Sequence, residues 1–265
     1  MPHLHFMMDA YGSIEENANN LMSVNEILNG VTHELGLMPV MPPFLVPYYY
    51  CNNSEDVGIS AFTICKGGHV TIHTFPYRAC YFVDILTDEF FTSTSAEGFF
   101  RERLFAKRVA SKIVDRRMIY NSREPEIDAN KDFGPHYMIE VNDIDMTFES
   151  IYLWLDTIAP KINMLPIIRP YVIYDSPINP QYISGVLVVA QSHIAVHYNI
   201  KERSALIDIF SCEFLDDTTI RSILQNSFGL NYKCYLVSRG SKHDNNYRRK
   251  AARISESSEW KNHIN

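Results

Sequence analysis

The feature that most constrains the fold of this chain is an internal repeat. Residues 58–90 align without gaps onto residues 182–214 at a constant offset of 124. Many aligned positions exchange one apolar residue for another, and eight are identical: Ile59/Ile183, Ser60/Ser184, His69/His193, His73/His197, Asp84/Asp208, Ile85/Ile209, Glu89/Glu213 and Phe90/Phe214. A fixed period of this kind indicates two copies of one structural unit of about 130 residues.

The repeat divides the chain into four segments. We expect the first copy of the unit over residues 1–120 and the second over residues 135–240. Residues 121–134 ("NSREPEIDANKDFG") are rich in charged and turn-forming residues, which is typical of a linker. Residues 241–265 form a polar, partly basic tail.

Each repeat alternates short apolar strands with amphipathic helices, and this pattern predicts an α+β fold. We expect a mainly antiparallel sheet with helices on one face in each repeat. The two units are predicted to pack as a pseudo-two-fold sandwich, like a homodimer fused into one chain. In the first repeat, Ser13 and Glu16 predict a capping box at the start of a helix over residues 14–36.

The composition of the chain argues against several classes of binding partner and indicates a compartment. The chain has 265 residues, is 46% hydrophobic and carries a net charge of −7, which argues against nucleic-acid or anionic-membrane binding. No apolar run reaches the ~18 residues of a transmembrane helix, and no basic segment of the kind that opens a signal peptide precedes Asp9. The five cysteines form no CxxC pair and predict reduced thiols in the cytoplasm rather than disulfides.

The second copy of the repeat carries a serine that the first lacks. In "VVAQSHIAVHYN", Ser192 precedes His193, whereas Gly68 precedes His69 in the first copy. Side chains alternate between the faces of a strand, so His193 and His197 are expected on one face and Ser192 on the other. The two HxxxH pairs have a spacing that binds zinc on helices, but in strands without a third ligand they predict no metal site.

The surroundings of Ser192 resemble the prokaryotic-type S-adenosylmethionine decarboxylase family, whose members use a pyruvoyl group. The family pattern is a serine, six residues, Glu-Ser-His, a histidine four residues on and a later Asp-hydrophobic-hydrophobic-Thr-Cys strand; this chain has "SGVLVVAQSHIAVH" and "IDIFSC". The resemblance implies that the chain, as a zymogen, cleaves itself between Gln191 and Ser192 and converts Ser192 into the pyruvoyl group. That group forms a Schiff base with a substrate amine and accepts the electrons released with CO2. Cys212 matches the family's proton donor.

The resemblance also implies that both repeats build one site. Ser60 and His73 of the first repeat match the two processing residues of the family, which act on the serine of the other unit. Their counterparts in the second repeat are Ser184 and His197. The mirror site is expected to be inactive because Gly68 takes the place of the pyruvoyl serine there.

Three departures from the family pattern stand near the expected site. Gln191 replaces a glutamate, which is tolerable because the attacked group is the backbone carbonyl. Tyr77 replaces the glutamate that binds the ribose hydroxyls, and Ser54 replaces an aromatic residue that stacks on adenine. Asp9 and Glu140 are candidate carboxylates for substrate binding.

The family default is the conversion of S-adenosylmethionine to its decarboxylated form in spermidine and other polyamine biosynthesis. A pyruvoyl-dependent decarboxylase of L-ornithine or L-arginine is the alternative, since the departures loosen a nucleoside site and leave the decarboxylation chemistry intact. A non-catalytic regulatory paralogue is a second alternative. The expected partners are a small substrate with an α-amino acid group, putrescine as a candidate effector and, as an open expectation, a second copy of the chain.

Overall fold

The computed structural model describes residues 3–48, 54–190 and 192–241. The strands of the first repeat are β1 Leu4–Tyr11, β2 Phe44–Tyr48, β3 Gly58–Cys65, β4 Gly68–Phe75, β5 Cys80–Thr87 and β6 Arg108–Asp115. Those of the second repeat are β7 Asp132–Val141, β8 Tyr171–Tyr174, β9 Tyr182–Val189, β10 Ser192–Asn199, β11 Ser204–Phe210 and β12 Tyr232–Ser241. The α-helices are α1 Glu15–Ala18, α2 Leu21–Glu34, α3 Ser93–Leu104, α4 Phe148–Lys161 and α5 Asp217–Phe228.

The strands form two six-stranded sheets with the same topology. The first sheet has the order β2-β3-β4-β5-β1-β6, and the second has the order β8-β9-β10-β11-β7-β12. All neighbouring strands are antiparallel. Each strand of one sheet therefore has a counterpart at the same place in the other. The predicted α+β fold with two similar units packed as a pseudo-two-fold sandwich is confirmed.

The alternation of side chains along the strands assigns one face of each sheet to helices and the other to the second sheet. In β4, Val70 and Ile72 pack into the core beneath α2 and α3. The intervening histidines of β4 point to the opposite face and contact histidines of β10. Beneath α4 and α5, Ile194 and Val196 of β10 repeat the same arrangement. The face between the sheets is thus where the two repeats meet.

The long helix predicted over residues 14–36 is broken in two, and the predicted capping box is wrong. Helix α1 starts after Ile14 without any side-chain cap. Asn20 instead caps α2, because its side chain accepts a hydrogen bond from the Ser23 backbone N–H at 3.1 Å. An asparagine at this position competes with the helical backbone, and this explains the interruption.

The sequence pattern does not predict edge strands β2 and β8. The predicted linker over residues 121–134 also overlaps the start of β7. Strand β2 contains Pro47 and lies at the sheet edge, where a proline is tolerated because no further strand needs its N–H. Strand β8 occupies the matching edge. Strand β7 starts at Asp132, so the last residues of the expected linker belong to the second sheet. Among the helices of the described part, none is long and apolar enough to cross a membrane.

Two buried arginines join the repeats across the interface. Arg116, which follows β6, donates hydrogen bonds to the Asp208 carboxylate in β11 and to the Ile207 carbonyl oxygen. Arg239 in β12 donates in return to Asp84 in β5. Each repeat therefore supplies the cation for the carboxylate of the other. Burial alone would raise the pKa of Asp84, but Arg239 together with the neighbouring histidines, His5 foremost, holds that pKa well below its usual value.

Candidate active site

Ser192 is the first residue of β10, directly after the turn that follows β9. Its pairing with Val189 makes β9 and β10 a hairpin, and Ala190 lies in the turn between them. Gln191, the expected residue before the cleavage point, lies outside the described residues. The Ser192 side chain is buried, and its Oγ accepts a hydrogen bond from the Cys212 backbone N–H at 3.0 Å. The structure therefore brings Ser192 and Cys212 together, as expected from the sequence.

The Cys212 thiol is held beside the same turn in its protonated form. Its Sγ lies 3.7 Å from the carbonyl oxygen of Ala190, to which it donates. Burial raises the pKa of this thiol to about 12. At neutral pH the group is therefore a thiol that carries a proton, which is the form required of a proton donor.

A cavity of about 320 Å³ opens next to Cys212 and is built from both repeats. The first repeat contributes Tyr48 and Asp56, and the second contributes the turn residue Ala190 and the segment that follows β11. The complete lining is Tyr48, Asp56, Ile162, Asn163, Met164, Leu165, Val189, Ala190, Ser211, Cys212, Glu213, Phe214, Leu215 and Asp216. It includes three carboxylates and, among described residues, no basic side chain. A cavity of this charge favours a cationic ligand.

The sequence pattern does not predict the three carboxylates of this cavity, which are Asp56, Glu213 and Asp216. Asp56 also binds Arg78, and Asp216 caps α5 by accepting from the Thr219 backbone N–H. Glu213 directly follows Cys212 and is one of the positions that are identical in the two repeats. That identity was the available signal, but it equally fits a structural role.

The expected processing residues form a buried hydrogen-bonded set on the interface. Ser60 Oγ lies 2.8 Å from His73 Nδ1, because the two residues face each other across β3 and β4. His73 Nε2 in turn lies 2.8 Å from His193 Nδ1. Burial lowers the pKa of His73 to about 3, so both its nitrogens serve neutral hydrogen bonds at pH 7. Through His193 the set reaches the strand that begins with Ser192.

The second repeat contains the same set in mirror image. His197 Nδ1 lies 2.9 Å from Ser184 Oγ, and His197 Nε2 lies 2.7 Å from His69 Nδ1. The rings of His69 and His193 are neighbours, with centroids 5.4 Å apart. Four imidazoles therefore form one row along the interface, and each end of the row carries a serine.

The mirror end, which carries Ser184, lacks a counterpart of Ser192 and the room for one. Gly68 occupies the position equivalent to Ser192, and a Cβ atom there would lie 1.8 Å from the Leu86 carbonyl oxygen. The adjacent Gly67 has a left-handed φ of 67° and packs against the Tyr182 ring. A cavity of about 80 Å³ lies at this end, next to His197. The structure thus closes the backbone over the place where a second serine would stand.

The candidate substrate-binding residues lie in three different environments. Tyr77 packs against the cluster of Tyr48 and Val57 that also contacts Ala190, near the cavity beside Cys212. The other two residues, both carboxylates, are engaged elsewhere: Asp9 accepts from Arg239 and the Gly240 backbone N–H, while Glu140 accepts from Lys233 and lines the 80 Å³ cavity. Of the three, only Tyr77 lies beside Ala190, and a role in substrate binding stays a prediction for all of them.

One group of side chains has the composition of a metal site. The ligand atoms of His5, His136 and Asp208 lie within 4.8 Å of one another. Arg116, however, donates both to His5 Nδ1 and to the Asp208 carboxylate. A guanidinium at this distance opposes a cation, so we assign these residues to the packing of the interface.

The fold and the site define a class: a two-repeat α+β sandwich with a serine and a protonated cysteine at the end of one hairpin. The family model for S-adenosylmethionine decarboxylase matches residues 4–117 and 136–240, which are most of both repeats. The chain therefore belongs to the S-adenosylmethionine decarboxylase family, whose members are generally pyruvoyl-dependent decarboxylases.

Similarity to individual proteins is low. None of the curated protein sequences matches the chain significantly. The adenosylmethionine decarboxylase from Aquifex aeolicus VF5 is 20% identical over 43% of this chain and 89% of its own, with a TM-score of 0.37. An unknown protein from Galdieria sulphuraria is 6% identical over 90% of this chain and 99% of its own, with a TM-score of 0.20. Scores at this level carry no argument about function.

Proposed function

We propose that this chain is a self-processing, pyruvoyl-dependent decarboxylase that acts on S-adenosylmethionine, with a single active site beside Ser192. The observation that carries the proposal is the position of Ser192. Ser192 is the first residue of β10 after the turn. Its Oγ accepts a hydrogen bond from the Cys212 backbone N–H, and an acidic cavity lies next to it. Membership of the family supports the reaction type.

The proposed cleavage needs only water besides the chain itself. Ser192 Oγ attacks the carbonyl carbon of Gln191, and the peptide C–N bond is replaced by an ester. Loss of the Ser192 Cα proton then breaks the Cβ–Oγ bond and releases Gln191 as a carboxylate. Addition of one water and loss of one ammonia leave a pyruvoyl group at the new N-terminus. Gly68 has no Oγ, so the mirror end cannot start this sequence.

The pyruvoyl group would supply an electrophilic carbonyl that takes up the electrons freed by decarboxylation. The residues of the chain would do the rest. Cys212 lines the cavity and carries a proton at neutral pH, so it would return a proton to the substrate carbon. Asp56 and Glu213 would attract the positive charge of the substrate, a sulfonium in the case of S-adenosylmethionine.

A second candidate substrate is a basic amino acid such as L-ornithine or L-arginine. Tyr77 is the observation in its favour, because it stands in the sequence where the family has its ribose-binding glutamate. A phenol is a poorer acceptor for two ribose hydroxyls than a carboxylate. The acidic cavity would suit the terminal ammonium or guanidinium equally well.

The intact mass of freshly purified protein tests the proposal. We expect two fragments divided before Ser192, the smaller one with a pyruvoyl end, and an uncut chain for Ser192→Ala. Ser184→Ala is the matched control, since this buried serine belongs to the mirror set and its loss should leave the cut in place. A wild-type chain that stays whole after long incubation would overturn the proposal and favour a regulatory partner.

Release of CO2 from S-adenosylmethionine, ornithine and arginine would then decide the substrate. Each assay should be run with and without putrescine, the candidate effector. An unchanged rate of cleavage and of turnover would remove putrescine from consideration.

A further inference from the structure

We propose that His193 is a positioning residue for the self-cleavage at Ser192: it holds His73 in the ring orientation that serves the cleavage. The inference rests on the proposed function. His193 directly follows Ser192 in the chain, yet its side chain lies on the opposite face of β10 and contacts the first repeat. It is therefore the side chain that connects the processing residues to the strand they act on.

The contact between His193 and His73 is close and shielded from water. The two nitrogens are 2.8 Å apart, and the rings stack with an interplanar angle of 11°. Both side chains are almost fully buried. Without His193, the Nε2 of His73 would lose its hydrogen-bond partner in a buried interface, and the ring would lose the contact that fixes its orientation on this side.

The orientation of His73 matters because its two nitrogens have different neighbours. Nδ1 faces Ser60 Oγ and Nε2 faces His193. A neutral imidazole donates at one nitrogen and accepts at the other, so the bond to His193 decides which role remains for Ser60. A rotated His73 would offer Ser60 a carbon atom in place of a nitrogen. The cleavage would then lose a correctly placed proton acceptor or donor.

His69 provides a matched control within the same chain. It is the counterpart of His193, it is equally buried, and its Nδ1 lies 2.7 Å from His197 Nε2. Substitution of His69 removes the same kind of hydrogen bond from the same interface. If His193 served packing alone, the two positions would respond alike.

The experiment is a time course of cleavage for full-length chains made by cell-free synthesis, followed by intact mass after translation is stopped. His193→Leu should slow the cut by about 100-fold, the range expected for a misplaced catalytic group. His69→Leu should stay within about 3-fold of wild type, because the hydrogen bond of His69 goes to His197 and not to His73. His193→Asn should recover most of the rate, because its amide places a polar atom where Nδ1 of the imidazole stood.

His193→Gln covers the case in which the leucine variant fails to fold. Its amide lies one bond further out, so it keeps the polarity and should still be cut more slowly than His193→Asn. Equal rates for His193→Leu and wild type, equal slowing in His69→Leu, or equal rates for the Asn and Gln variants would overturn the inference. A wild-type chain that is never cut would instead overturn the proposed function, and the positioning role with it.

Discussion

The two ends of the histidine row have the same scaffold and different chemistry. At one end, Ser192 Oγ accepts a hydrogen bond from the Cys212 backbone N–H beside a cavity of about 320 Å³. At the other end, Gly68 leaves no space for a side chain, and the cavity is about 80 Å³. The serine–histidine–histidine sets differ by no more than 0.1 Å in their matching distances.

The parts that both ends share are those that the interface needs. Each imidazole is hydrogen-bonded to one imidazole of the other sheet, and loss of either member of a pair would take that bond from a buried nitrogen. The parts that differ, a serine and a cysteine against a glycine and Asp88, are those that the proposed reaction needs. If the proposed function is correct, the scaffold is present twice for packing and the chemistry is present once.

The largest difference between the ends is expected in turnover. Cys212→Ala should lower the kcat of decarboxylation by about 10²- to 10⁴-fold, the usual contribution of a general acid. The cut at Ser192 should persist, since the backbone N–H of residue 212 still donates to Ser192 Oγ in the alanine variant. The measurement is release of labelled CO2 from each substrate.

Asp88→Ala is the control at the mirror end. It removes the residue equivalent to Cys212 and should leave turnover within 2-fold, roughly the scatter of substitutions away from a reacting group. Comparable losses in both variants would mean that the mirror end takes part in the reaction, and the comparison would fail.

A smaller effect is expected on stability at the mirror end. Gly68→Ala should lower the free energy of unfolding by about 3 kcal/mol, because the added Cβ would overlap the Leu86 carbonyl oxygen. Gly98 in α3 is the control, since a Cβ there meets nothing within 4 Å and alanine favours a helix. Chemical denaturation measures both. A Gly68→Ala protein as stable as wild type would show that a second serine site had been sterically possible.

The smallest effect is expected in the dependence of stability on pH, and it should be similar at both ends. Burial lowers the pKa of His69 to about 4 and that of His73 to about 3. Below the unfolded value of 6.5 the unfolded chain therefore binds protons that the folded chain does not, and stability falls as pH falls towards these values.

Each such histidine contributes a slope of about 1.4 kcal/mol per pH unit in that window. His69→Asn and His73→Asn should each remove one such contribution when unfolding is compared at pH 7.5 and pH 5.5. Between pH 7.5 and 8.5 all three proteins should show a flat profile for these groups. An undiminished slope in either variant would mean that its histidine is protonated in the fold.

Most of the fold could be predicted from the internal repeat. A constant offset aligned β3, β4 and β5 with β9, β10 and β11, and the identical Asp84 and Asp208 mark positions that bind arginines across the interface. Strand alternation placed Ser192 and His193 on opposite faces. The relation of Ser192 to Cys212 followed from the family motif and not from spacing alone.

The remaining features depend on long-range packing that no local pattern records. Arg116 and Arg239 lie outside the aligned segment, at an offset of 123, and arginine usually indicates a solvated position. Asp56 reaches the cavity only because β2 and β3 bring the first repeat over the second. Edge strands β2 and β8 are short, and Pro47 conceals the first of them.

The strand order of the second sheet has a mechanical consequence. Strands β7, β8 and β9 precede Ser192 in the chain, whereas β10 begins at Ser192 and β11 and β12 come after it. In space β7 lies between β11 and β12, and β9 lies beside β10. A chain severed before Ser192 would thus yield two interleaved polypeptides, bound by three backbone ladders. They would copurify as one particle, melt in a single transition and separate only when the sheet itself came apart.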